Sequence, residues 1–161
     1  MPAEPTTPED IAWIAAQLGR EPRGIRAIAH RCPCGRPDVV ETEARLEDGT
    51  PFPTTFYLTC PRVSSRVGTL EAEGVMRDLA AQLDADEDMR AHYAAAHLDY
   101  LKRRGDDVPE IAGISAGGMP TRVKCLHALL GHALAAGPGV NPVGDTTREM
   151  LGEWWAAGPC V

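Results

Sequence analysis

The chain has 161 residues, 43% of them hydrophobic and 24% charged, which suits one domain able to bury a core without covalent staples. A formal charge of −7 and a pI near 5.2 exclude broad binding to nucleic acid or to anionic membrane. No apolar run approaches the roughly 18 residues of a membrane span, and the opening "MPAEPTTPED" has neither the basic start nor the apolar segment of a secretory signal.

In chain order, Thr7 is placed to cap a first helix, with Pro8 at its first position and Glu9 and Asp10 favoured by the helix dipole. Ile11, Ile14 and Leu18 repeat at helical spacing, and Gly19 closes the helix. "GIRAIAH", residues 24–30, reads as a strand with Ile25, Ala27 and Ala29 on one face. "DVVETEARL", residues 38–46, reads as a second strand and "TTFYLTC", residues 54–60, as a third. The Asp48-Gly49 turn signal and two prolines between them predict a hairpin with a long loop.

The remainder reads as helical. Leu70, Val75, Met76, Leu79 and Leu83 form an apolar stripe over residues 67–83, weakened by Gly74. Residues 86–104 make a second stretch rich in alanine and charge, carrying His92 and His97 as solvated surface histidines. "TRVKCLHALLGHALAAG" is expected as a helix starting with Pro120 and stopping at Gly137-Pro138. Asp145 is placed to cap a last helix that Trp154 and Trp155 pack down, with Cys160 frayed beyond it. The class is α+β, one globular domain over residues 1–161: a small antiparallel sheet of about three strands with four to five helices.

Five cysteines is an odd number, and Cys32 and Cys34, in "HRCPCGRPDVVET", are too close for an easy mutual disulfide. This favours a reducing cytoplasm, where grouped thiols more often mean metal or redox chemistry than cross-links. In a hairpin the start of one strand lies beside the end of its partner, so Cys32, Cys34 and Cys60 are expected at one sheet end. On a regular helix from Pro120, Cys125 and His132 share a face while His127 points away. Cys125 is then the fourth ligand, with His132 in reserve, for zinc or an iron–sulfur cluster. Buried core thiols and a reversible redox pair are the competing readings.

A second constellation suits an anion. Gly117 and Gly118 precede the expected helix, and Arg122 and Lys124 follow, a place where amides and positive charge can hold a phosphate. The order of a Walker loop is missing. Asn141 and Asp145 in "GPGVNPVGD" can orient a ligand or brace turns.

The stretches "RCPCGRPDVVET", "DGTPFPTTFYLTCP" and "GMPTRVKCLHALLGHALAAGPGVNPVGD" resemble the bacterial family catalogued as domain of unknown function 501, common in actinobacteria. The resemblance implies a cytosolic single-domain protein, often encoded beside a septum-formation initiator and an exopolyphosphatase. It assigns a role to none of the cysteines or histidines. Three functions therefore stand side by side. The first is a metal- or cluster-binding protein. The second is an enzyme or sensor for a phosphorylated small molecule, with Cys125 or His127 as the reactive group. The third is an interaction module for a protein partner in cell division or phosphate metabolism.

Overall fold

The structure is a computed structural model and describes residues 2–161. Helix α1, Pro8–Leu18, starts as its residues predict: Thr7 and Asp10 form a reciprocal capping box, and Gly19 closes it at φ 70°. The sheet follows, β1 Ile25–Arg31, β2 Pro37–Thr42 and β3 Phe56–Leu58, antiparallel in the order β1-β2-β3. Helices α2 Pro61–Ala72, α3 Val75–Ala85 and α4 Glu87–Arg104 come next. A 3-10 turn at Pro109–Ile111 leads to α5 Leu126–Ala136, α6 Pro142–Leu151 and a last 3-10 turn at Trp154–Ala157. The architecture is α+β, with six helices among the described residues. None of them is long and apolar enough to cross a membrane.

Four expectations need correction. The stretch 67–83 is two helices, because Gly74 sits at φ 86° and breaks it. No helix starts at Pro120; the segment before Leu126 is held in turns by Gly117 and Gly118, whose carbonyls accept from Arg122, Lys124 and Cys125 amides. The last helix is capped by Asn141, while Asp145 accepts from the Gly139 amide. Strand β1 also loses its simple alternation: a register shift between Ile25 and Ala27 lets Ile25 and Ile28 pack on one side, against Ile14 and Val40.

The pleat divides the core in two. Ile28, Val40 and Tyr57 meet α1 on one face, while Ala29, Val39, Phe56 and Leu58 face the main core under the helices. Helix α5 runs through that core, and all its residues from Ala128 to Ala135 are buried. It approaches its neighbours closely because Gly131 lies against the Phe56 carbonyl and Gly144 of α6 lies against the Leu129 carbonyl. Its buried His132 is stacked on Phe56, receives a hydrogen bond from Asn141 and pairs through Nε2 with Asp99 at 2.8 Å. Both neighbours of His132 are consistent with a neutral ring whose pKa burial pushes down.

Two outcomes test these contacts. A Cβ at Gly144 would stand 2.4 Å from the Leu129 carbonyl oxygen and 2.5 Å from the Ala133 Cβ. Gly144→Ala should therefore lose about 1–3 kcal/mol of stability by overpacking, read as a lower urea midpoint at unchanged slope. Asp10 lies beside the Arg31 guanidinium, which holds its carboxyl down at about 2. A depressed carboxyl stabilises the fold above its unfolded pKa, about 3.9, and loses that contribution as pH falls toward 2. Asp10→Asn should cost about 1 kcal/mol at neutral pH, and the gap to wild type should close in strong acid.

Candidate metal centre and a second thiol site

The tightest turn of the sheet carries the first two thiols. Cys32 to Gly35 form a turn in which the Gly35 amide donates to the Cys32 carbonyl at 2.8 Å. The Cys32 amide donates to the Arg36 carbonyl at 2.9 Å, closing the β1–β2 hairpin. Gly35 supplies the positive φ, 91°, that lets the chain leave the turn in register with β2. Cys60 follows β3, where the Thr59 amide pairs with Asp38 at the start of β2. It therefore lies at the same end of the sheet, at the N-cap of α2, next to the first amides of that helix.

Cys160 completes the group, and it is fully buried rather than frayed. After Trp154 packs into the core, the segment 158–161 returns across the hairpin end. Its carbonyls are bound by Arg62 at Pro159, 2.8 Å, and by Gln17 at Cys160, 3.3 Å. The Cys160 amide donates to the Cys34 sulfur at 3.5 Å. The sulfurs of Cys32, Cys34 and Cys160 all lie within 4.8 Å of one another. Cys60 is not one of these three, but it borders them closely enough that the Cys160 thiol governs its acidity.

Their acidities diverge because burial and neighbouring thiols act on each differently. The Cys160 thiol, with the Arg62 and Val63 amides, holds Cys60 down at about 7 against burial. Contact with Cys60 pushes Cys160 up, and burial pushes Cys32 up to about 11. Burial also raises Cys34, but the Cys160 and Arg36 amides and the Cys32 thiol outweigh it and bring it down. Asp38 lies beside them, fully buried, with Oδ1 2.7 Å from His30 Nδ1 and Oδ2 without a partner among the described residues. Its charge opposes the thiolates of Cys32 and Cys60. Sulfurs grouped in this way, beside a carboxylate, are a donor set that could hold a metal ion.

Cys125 is not in this group. It stands at the N-cap of α5, and its sulfur groups with His127 and Glu71 of α2 within 4.8 Å. Since Cys125 precedes the helix, the helical phase that paired it with His132 does not apply. His132 spends both ring nitrogens on Asp99 and Asn141. The anion expectation meets a different geometry. The Arg122 and Lys124 amides are already donated to Gly118 and Gly117, and both side chains are exposed. The two glycines are needed because a Cβ at Gly117 would meet Leu129 at 2.6 Å and one at Gly118 the Arg122 carbonyl at 2.6 Å. Neither surface histidine is purely solvated: His92 pairs with the Gly139 carbonyl and His97 with Ser115, each at 2.7 Å.

Sequence reasoning missed Cys160 and Glu71. The Gly158-Pro159 turn signal after the tryptophans is a local hint that the chain turns back, but it does not say toward what. Glu71 has no signal beyond lying on a helix.

The model of one family, described as a protein of unknown function, DUF501, matches residues 28–149. No curated protein and no solved structure matches the chain. The matched residues include Cys32, Cys34, Cys60, Glu71, Cys125 and His127, and they stop short of the segment that brings in Cys160. With well over half its length matched, the chain belongs to the DUF501 family.

Proposed function

We propose that this is a cytoplasmic metal-binding protein in which Cys32, Cys34, Cys60 and Cys160 hold a single zinc ion at the end of the sheet. The observation that carries the reading is the mutual approach of the Cys32, Cys34 and Cys160 sulfurs within 4.8 Å, and Cys60, at the same sheet end, is the thiol we assign as the fourth ligand. A tetrahedral zinc with bonds of about 2.3 Å spaces its sulfurs by about 3.8 Å. An iron–sulfur cluster must fit its own body between its ligands and needs a wider set, so a mononuclear ion suits this spacing better. Zinc would draw the protons off the thiols and neutralise the charge that collects beside Asp38. Four sulfurs leave no open position, and three of the four cysteines are buried. The role this supports is structural: the ion would clamp the hairpin turn, the start of α2 and the segment 158–161 together.

Protein purified without oxygen should contain about one zinc per chain, measured by elemental analysis, and no iron–sulfur absorption. Cys34→Ser and Cys160→Ser should each lose most of it, whereas Cys125→Ser should retain it. A strong chelator should lower the thermal midpoint of wild type but leave that of Cys160→Ser unchanged. Zinc-free protein, or equal metal loss from Cys125→Ser and Cys160→Ser, would defeat this reading.

A further inference from the structure

The second thiol site has a different chemistry. His127 Nδ1 is 2.6 Å from Glu71 Oε1, and Nε2 is 3.1 Å from the Ser64 carbonyl oxygen. A carboxylate and a carbonyl only accept, so both ring nitrogens must carry protons and His127 is an imidazolium. Contact with Cys125 and then with Glu71 raises it to about 9, so the charge persists at neutral pH. An imidazolium has no lone pair to give a metal. Its natural counterpart here is a thiolate on Cys125. That thiol is held below its ordinary value, by His127 first and also by the Ala128 amide. Glu71 of α2 is the carboxylate grouped with the pair among the described residues; β3 offers Phe56, Tyr57 and Leu58, and Lys124 precedes Cys125 in the chain.

Two further features make this a site rather than a buried pair. The thiol opens on a cleft of about 390 Å³, walled mainly by Phe56, Tyr57, Leu58 and Ala128. The amides of Leu126 and His127, in the first turn of α5, have no hydrogen-bond partner among the described residues. Spare donors beside a thiolate are what a developing oxyanion needs.

We propose that Cys125 is a catalytic nucleophile for acyl transfer, with His127 as its acid–base partner and Glu71 as the positioning residue, acting on an ester or thioester of a short apolar acyl group seated in the cleft. The Cys125 thiolate adds to the carbonyl carbon, and the oxyanion falls to the Leu126 and His127 amides. The bond to the leaving oxygen or sulfur then breaks, His127 turns its Nε2 proton from the Ser64 carbonyl to that atom, and the acyl group remains on Cys125 as a thioester. Neutral His127 next takes a proton from water as the water oxygen attacks that carbon. The sulfur departs as thiolate and the ring is again an imidazolium. The balance is acyl donor plus water to carboxylic acid plus alcohol or thiol, with no redox change. Glu71 keeps the ring oriented and stabilises its imidazolium form, as the third member of such triads does.

The test uses the full-length protein as purified and locates adducts by peptide mass spectrometry. Iodoacetamide at pH 7 should alkylate Cys125 about tenfold faster than an ordinary thiol, since a free cysteine is only a few per cent thiolate there and a low-pKa thiolate is somewhat less nucleophilic. His127→Gln should remove that advantage, and Glu71→Gln should reduce it. p-Nitrophenyl acetate should release a burst of about one nitrophenolate per chain, with the acetyl group on Cys125, then turn over slowly. Cys125→Ser should abolish the burst while zinc content is kept, so the outcome is independent of the metal site. Alkylation at the rate of an unperturbed thiol, equal rates in His127→Gln, or fast alkylation without an acetyl adduct would each overturn the proposal.

Discussion

The close seating of α5 in the core is the constraint on which the other placements depend. Gly131 brings the helix axis against the backbone of β3, and Gly144 brings α6 against the opposite side of α5. At these two points backbone meets backbone, and a single methyl would force the elements apart. The burial of α5 follows, and with it the need for His132 to find two partners inside the core. A buried polar ring without partners would cost several kcal/mol, on the order of a large share of a small domain's stability. The pairing with Asp99 and Asn141 removes that cost and ties α4 and the α6 cap to α5.

The two thiol sites inherit their difference from this frame. Cys125 lies where α5 emerges from the core, so its sulfur faces a cleft and an amide-rich helix start. The four clustered cysteines lie at the far margin of the hairpin, where a turn, a helix start and a returning segment close over one another. One arrangement leaves room for a substrate and the other leaves none. The protonation patterns agree with that division. His127 is pushed up and Cys125 down by their mutual contact, whereas burial raises Cys32 and contact with Cys60 raises Cys160, beside a buried carboxylate.

The elements set by local rules were legible in the sequence. Thr7, Pro8 and Gly19 mark α1 to the residue, because a capping side chain, a fixed φ and a left-handed turn act within a few positions. The three strands were also readable, since alternation and hairpin geometry carry that information, but the thiol that joins Cys32 and Cys34 within 4.8 Å is Cys160, where Cys60 was expected. What stayed hidden depends on distant partners. Residues 120–125 have adequate helical composition, yet the Gly117 and Gly118 carbonyls take their amides first. That displaced the start of α5 and, with it, the face on which Cys125 was expected. Cys160 enters its cluster only because Trp154 anchors the preceding turn and Arg62 and Gln17 hold the last carbonyls. No local pattern encodes such a return.

Both margins of the sheet are occupied. Glu4 exchanges two backbone hydrogen bonds of 2.8 Å with Ile28, so a short piece of chain shields the outer side of β1. On the other side the ladder ends at Thr42–Thr55 and Asp38–Thr59 turn the Phe56 carbonyl outward, where Gly131 of α5 covers it. An uncovered strand is a template for a neighbour's strand, and three-stranded sheets with bare edges are prone to grow. Here a passing segment and a helix stand where an added strand would have to pair. The sheet is thereby guarded against stacking edge to edge into aggregates, and recruitment of an extended peptide by strand addition would first require α5 or residues around Glu4 to move away.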